Sequence, residues 1–238
     1  MFQAQEVVVA DSIYPSHWLP EHPDRIQLYA AGTPNGRKVS IGLEEMELPY
    51  EVHRIDLSAG QQFDPEYRRL NPNGKIPSII DPDGPGGEPL GLMESGAILL
   101  YLADKSGRLI YDDPRQRWPV VEWLMFQMAG VGPYLGQFGH FNKFARGKTD
   151  DGYALARYTL EGKRVLGVLN ARLEGRDYLV GPEYTIADVA TFPWILALDH
   201  LEGKEVLEYD SYANLQPWVE RCASRPGAQR GIAALTFE

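Results

Sequence analysis

Glu94 and Ser95 stand together at the head of an apolar run, Ala97-Ile98-Leu99-Leu100-Tyr101-Leu102, that reads as a helix. Ser95 occupies the position of an N-cap, where its hydroxyl accepts from the orphan N–H groups of the first turn. Those same N–H groups, with the positive end of the helix dipole, form a receptor for a ligand carboxylate. Glu94, one residue earlier, can take a ligand ammonium. Side by side, the two receptors match the head group of an α-amino acid. Taken alone, the pair also has a plainer account: Ser95 as an ordinary cap, and Glu94 as a charge that complements the dipole. The surrounding elements have to decide between them.

The stretch leading to this pair is turn, strand, turn, strand. Asn73-Gly74 makes a turn, because both residues tolerate positive φ. Lys75-Ile76-Pro77 then enters a short apolar strand, Ser78-Ile79-Ile80. A proline at the head of a strand removes no needed ladder donor, and its bond to Ile76 is a candidate for the cis form. Residues 81–88, rich in proline and glycine, form a turn, and Leu90–Met93 is a second strand. Upstream, Ile26-Gln27-Leu28-Tyr29-Ala30 alternates like a strand. The loop Ala31-Gly32-Thr33-Pro34-Asn35-Gly36 precedes a helix from Arg37 to about Glu47, with Val39, Leu43 and Met46 on its apolar face. Tyr50–Ile55 is the next strand, which makes a β-α-β unit and implies a right-handed parallel crossover. Asp64 caps a short helix that begins at Pro65.

The order β-α-β-α-β-β-α is the thioredoxin-like arrangement, a small mixed sheet flanked by helices. After it the strands stop. Asp113-Pro114 with Gln116 starts a helical segment rich in aromatics and interrupted by Pro119, Gly130, Gly132 and Pro133, so a kinked helix or two pieces are expected through residue 145. Residues 152–174 form a second long helix with Leu155, Tyr158, Leu166 and Leu169 inward. Thr185 and Asp188 make a capping box, stapled by Tyr184 and Val189. The almost wholly apolar run 190–198 behind them marks the central helix of an all-α half, kinked at Pro193. Short helices at 217–223 and 228–235 finish the chain. The fold class is therefore α/β followed by all-α. Residues 1–25 form an extended arm anchored by Trp18, residues 26–106 a thioredoxin-like domain, and residues 107–238 a helical bundle.

Composition narrows the function. A net charge of −10 over 238 residues argues against nucleic acid and against electrostatic docking on anionic membranes. One cysteine, Cys222, leaves no disulfide framework and no CxxC motif. Five scattered histidines lack metal-ligand spacing, so no metal is expected. No run is long enough to span a membrane and no signal peptide is apparent, which points to a reducing cytoplasm.

A thioredoxin-like half and an all-helical half, joined with Lys75-Ile76-Pro77, Glu94-Ser95 and Thr185-Ile186-Ala187-Asp188, resemble the glutathione transferases. Within them, Thr33-Pro34-Asn35-Gly36, Gly60-Gln61-Gln62-Phe63, Gly87-Glu88-Pro89-Leu90 and Gly132-Pro133-Tyr134-Leu135-Gly136-Gln137 are similar to the bacterial nu class, which is akin to a yeast nitrogen-catabolite regulator. The resemblance implies a homodimer that binds glutathione as cosubstrate and acts on a small disulfide or an electrophile. Glu94 and Ser95 would hold the γ-glutamyl ammonium and carboxylate. Ile76, held by cis-Pro77, would pair with the cysteinyl backbone as an added strand. Gln62 would reach a glutathione carboxylate, with Lys75 as helper. Arg157 would come from the second domain, across the dimer interface or as an ordinary helix-surface charge.

The superfamily places a Tyr, Ser or Cys at the head of the first helix to stabilise the glutathione thiolate. This loop has none of them. Thr33 and Asn35 remain as candidate catalytic residues, since a hydroxyl and an amide are both donors that stabilise a thiolate near a helix N-terminus. Thr-Pro-Asn-Gly is equally a sound β-turn with no function. The alternative class of function is a non-catalytic glutathione-binding regulator. The chain's own arm is not Asn-rich, unlike that of the yeast regulator.

Overall fold

The computed structural model describes residues 13–148 and 152–236. Strands β1 (Ile26–Ala30), β2 (Tyr50–Arg54), β3 (Ser78–Asp81) and β4 (Leu90–Met93) form one sheet in the order β2-β1-β3-β4. β1 and β2 run parallel, with Leu28 opposite Val52, across helix α1 (Pro34–Glu45). β3 runs antiparallel to β1, with Leu28 opposite Ile79, and β4 antiparallel to β3, with Ile79 opposite Leu92. The strand boundaries expected from the sequence hold to within a residue.

β1 is buried on both sides. Ile26, Leu28, Ala30 and Ile79 face the main core, beneath α1 and α3 (Ser95–Ser106). Tyr29 and Ile80 face the other way, toward Tyr67 of α2 (Pro65–Leu70) and toward Tyr14 and Trp18 of the N-terminal arm. Trp18 packs edge-on against Tyr67, and its indole N–H donates to the Arg54 carbonyl at 3.2 Å. The described part of the arm is thus anchored on its own chain. Gln27, polar and completely buried, is satisfied on this covered face. It donates to the carbonyls of His22 and Arg25 and meets the His53 ring nitrogen at 2.7 Å. The apolar run Val7–Ala10 lies outside the described residues.

The helical half contains α4 (Pro114–Phe126), α5 (Gly132–Gly139), α6 (Tyr153–Arg172), α7 (Ile186–Leu196), α8 (Leu215–Ala223) and α9 (Pro226–Ala233). The expected interruption near Gly130 is a π-helical stretch, Gln127–Val131, that joins α4 to α5; a second, His140–Phe144, follows α5. Wide turns of this kind often occur at functional sites. At the core of this half, the Asp188 carboxylate is fully buried. It accepts from the Thr185 N–H and hydroxyl, the Leu179 N–H at 2.9 Å and the Trp218 indole at 2.9 Å. The capping box forms as the Thr-x-x-Asp spacing predicts. Burial pushes this carboxyl up to about 6, and the four donors hold it back from rising further.

The two halves meet along α1, which packs on α7 and α9. Gly231 of α9 sits where an added Cβ would come within 2.5 Å of the Ile41 Cα, so only glycine permits that crossing. Glu45 of α1 receives a two-pronged ion pair from Arg225, at 3.0 and 2.7 Å, and the Ala228 N–H at 3.1 Å. This bidentate pair ties α1 to the start of α9.

Candidate functional site

The chain bends sharply at Glu94, whose φ of +70° and ψ of 110° lie where L-residues are strained. The bend starts α3 one residue earlier than the sequence suggests, so Glu94 holds the cap position and Ser95 is the first helical residue. Ser95 is therefore not the cap. The Glu94 carbonyl closes the first turn by accepting from the Ile98 N–H at 2.9 Å. The earlier N–H groups of the helix stay without an intrahelical acceptor, as at any N-terminus. The Ser95 hydroxyl, freed from capping, turns toward Met128 Sδ at 3.6 Å and accepts from the Lys38 ammonium at 3.3 Å.

Opposite this pair, the Ile76–Pro77 bond is cis, as the Ile-Pro strand entry suggested. Its geometry is held from below. The Lys75 carbonyl accepts from the Tyr67 hydroxyl at 2.6 Å and the Asn71 amide at 2.7 Å, and Asn71 also reaches the Ser78 hydroxyl at 3.1 Å. Ile76 lines the cleft, and neither of its peptide groups makes a hydrogen bond among the described residues. Gly74, with φ of +63°, supplies the turn before them.

Helix α1 begins at Pro34, three residues before the expected Arg37. Thr-Pro-Asn-Gly is a helix start and not a free β-turn: Thr33 is the cap, its Oγ1 accepts from the Gly36 N–H at 3.3 Å, and Pro34 takes the first helical position. As an acceptor Thr33 still has its own O–H to donate. Asn35, the second helical residue, points into the cleft, and its Oδ1 accepts the indole N–H of Trp194 at 3.1 Å. An indole only donates, so it fixes which end of the amide is which. The Asn35 NH2 group is the end left over.

Two adjoining cavities, of about 460 and about 430 Å3, share Asn35, Lys75, Ile76, Gly136 and Trp194 and so form one cleft. Glu94, Ser95 and Pro77 line the first; Thr33 and Gln62 line the second. Gln62 lies in the short helical turn Gln61–Phe63, and its Oε1 is buried without a partner among the described residues. Lys75 extends at the mouth, exposed. Leu57, Phe144, Ala197 and Leu201 make the second cavity the more apolar one. Arg157 lines neither. It is 54% exposed on α6 and pairs with Glu161 at 3.4 Å, so within one chain it stays outside the cleft.

Sequence reasoning missed Lys38, Gln127, Met128 and Trp194, all of which line the cleft. For Trp194 there was a signal: an indole in an apolar run needs an acceptor for its N–H. Gly136 makes room for it, since an added Cβ would sit 3.2 Å from its ring. Lys38 is 1% exposed, where a lysine at a helix start would ordinarily be solvated. The uncharged stretch Val39–Leu43 after it was the only hint that α1 is buried on more than one side.

The architecture agrees with the family comparisons. The glutathione S-transferase N-terminal domain model matches residues 33–105, and the C-terminal domain model matches residues 153–226. The disulfide-bond oxidoreductase YfcG of Escherichia coli is 44% identical over 208 residues, covering 87% of this chain and 94% of the relative. This chain belongs to the glutathione S-transferase family. Among its solved glutathione transferase relatives, one from Burkholderia graminis carries two glutathione molecules per subunit. It is 50% identical, with a TM-score of 0.89 over 91% of this chain and 90% of that one. Another, from Pseudomonas putida, carries one glutathione disulfide per subunit; it is 46% identical, with a TM-score of 0.89 over 91% of this chain and 94% of that one. Among the described residues no helix is long and apolar enough to cross a membrane.

Proposed function

We propose that this glutathione transferase reduces small disulfides with glutathione, the attacking sulfur being that of the bound glutathione. Glu94 takes the γ-glutamyl ammonium, the head of α3 with Ser95 takes the carboxylate, and the Ile76 backbone pairs with the cysteinyl residue as an added strand. Gln62 and Lys75 meet the glycyl carboxylate. The cysteinyl sulfur then lies at the head of α1, where the Asn35 NH2 and the Thr33 hydroxyl stabilise its thiolate. That thiolate attacks one sulfur of the disulfide; the S–S bond breaks, a mixed disulfide with glutathione forms, and one thiolate leaves. A second glutathione thiolate attacks the glutathione sulfur of the mixed disulfide, releasing the other thiol and glutathione disulfide. Two glutathiones are oxidised and one disulfide is reduced. Two adjoining cavities, and relatives holding two glutathiones or one glutathione disulfide, support this sequence.

The observation that carries the reading is the junction of the cavities at Asn35, with the protein's one cysteine elsewhere. Cys222 is buried in α8, lines neither cavity, and has its thiol pushed far up by burial. It packs as a small apolar side chain. The chain also works, in this reading, as a homodimer. Tyr153 and Leu160 are exposed on α6 around Arg157, which suits an arginine that meets a partner subunit.

The test is turnover of a small disulfide with excess glutathione by wild type and by Cys222→Ala. Both are expected to turn over at similar rates. Glutathione binding without turnover by wild type would leave a regulatory binder as the function. A folded but inactive Cys222→Ala would place a protein thiol in the mechanism.

A further inference from the structure

Lys38 is the charged group least expected where it lies. Its ammonium is buried between α1, the start of α3 and the π stretch after α4. It donates to Gln127 Oε1 at 2.6 Å and to the Ser95 hydroxyl at 3.3 Å, and it rests 3.6 Å from Met128 Sδ. All three partners are neutral. A buried cation held only by neutral groups is costly, and a counter-ion would recover much of that cost. Beside it the Gln127 Nε2, also buried, has no acceptor among the described residues. Both side chains line the cavity that contains Glu94 and Ser95. Among the described residues the site therefore holds a cation with no ion pair and an N–H donor with no acceptor, next to the free N–H groups of a helix start. All three features ask for an anion.

We propose that Lys38 is the counter-charge for the α-carboxylate of the ligand's γ-glutamyl head group. The inference rests on the glutathione reading of the cleft and adds a cation to the receptor made by the head of α3. The zwitterionic head group then meets opposite charges on its two sides, its ammonium at Glu94 and its carboxylate between the α3 N-terminus and Lys38. Gln127 holds the lysine in place through Oε1 and keeps Nε2 as a further donor.

A consequence follows for protons. Desolvation brings the Lys38 ammonium down to about 7, against the through-space pull of Glu94. Of the elements packed around α1, namely α3, α7, α9 and β1, and of the π stretch that Lys38 itself reaches, Glu94 at the start of α3 is the charged group that acts on it. Near neutral pH a large share of the ligand-free protein carries Lys38 as the amine. An arriving carboxylate favours the ammonium, so the amine takes a proton from solvent on binding.

The test is calorimetry in buffers of different ionisation enthalpy, with S-methylglutathione as the probe so that no ligand thiol titrates. Wild type should take up a fraction of a proton per ligand near pH 7.5 and less near pH 6, the trend for a group titrating at about 7. The analogue with hydrogen in place of the γ-glutamyl α-carboxylate should take up almost none. Lys38→Met should abolish the uptake and weaken S-methylglutathione roughly 10–100-fold, the range for losing a charge-assisted bond, and weaken the analogue less than about threefold. Equal weakening of both ligands would make Lys38 a structural residue and overturn the proposal. If Lys38→Met fails to fold, the affinities of the two ligands for wild type decide. An analogue that binds wild type as tightly as S-methylglutathione overturns the Lys38 role alone, whereas no binding of either ligand overturns the glutathione reading together with it.

Discussion

Trp194→Phe should raise the thiol pKa of bound glutathione without emptying the site. Trp194 comes from α7 and Asn35 from α1, and their hydrogen bond at 3.1 Å is what distinguishes the amide's oxygen from its nitrogen. Phenylalanine keeps a ring in the slot over Gly136 and removes only the N–H and part of the indole. A net hydrogen bond of this kind is worth about 1 kcal/mol. With it gone, the amide no longer resists turning its oxygen toward the thiolate, so up to that amount of thiolate stabilisation is lost. At 1.36 kcal/mol per pKa unit, about 1 kcal/mol is a rise of roughly 0.7 unit. Below the thiol pKa, the thiolate fraction and the rate fall roughly fivefold; well above it the two enzymes converge, apart from the change in sulfur nucleophilicity. The assay is a pH–rate profile with a small disulfide, paired with a titration of the bound thiolate by its ultraviolet absorbance. Asn35→Ala removes the group through which the indole acts, so adding Trp194→Phe to it should cost little more. An unshifted thiolate titration, or a full additional loss in the Asn35→Ala background, would refute the argument that the indole works by orienting the amide.

Glu94→Gly should change stability and binding in opposite directions. Relief of the strained backbone, worth ~1–3 kcal/mol, outweighs the extra chain entropy of glycine at ~0.5–1 kcal/mol, while loss of the ammonium receptor weakens glutathione by ~1.5–3 kcal/mol. Denaturant melts and calorimetry read the two effects separately, and parallel losses in both would count against the assignment. Asp188→Ala leaves the Leu179 N–H, the Thr185 N–H and the Trp218 indole facing a void, at ~1–3 kcal/mol for each unsatisfied group. A loss of at least ~3 kcal/mol is therefore expected in chemical denaturation. An unchanged midpoint would mean that this network does not carry the helical half.

Local chemistry set much of this molecule before any packing. Strand alternation placed β1, the Pro/Gly-rich turn bounded β4, Ile-Pro before a strand made the cis bond a candidate, and Thr-x-x-Asp marked the start of α7, because each depends on neighbours a few residues apart. Glu94 and Ser95 were legible as candidates for the same reason, since helix starts carry their own residue types, whereas Ile76 and Asn35 were nominated by the family resemblance. The error at α1 came from this same short range. Thr-Pro-Asn-Gly is good turn chemistry and good capping chemistry, and only the helix running on behind it, packed against α7 and α9, selects the cap.

Tertiary packing alone decided which side chains meet in the cleft. Trp194 lies 159 residues from Asn35, and Gln127 lies 89 from Lys38. No periodicity encodes such pairs. Lys38 reads as a solvated charge until α3 and the π stretch close over it, and its displaced pKa is a property of that enclosure. Arg157 shows the converse, a residue nominated by resemblance that its own chain leaves outside the cleft, paired with Glu161. Secondary structure follows from short-range sterics and hydrogen bonding. A site assembled from α1, α3, α7 and a π turn depends on where separate elements come to rest, which is a result of burying their apolar faces together.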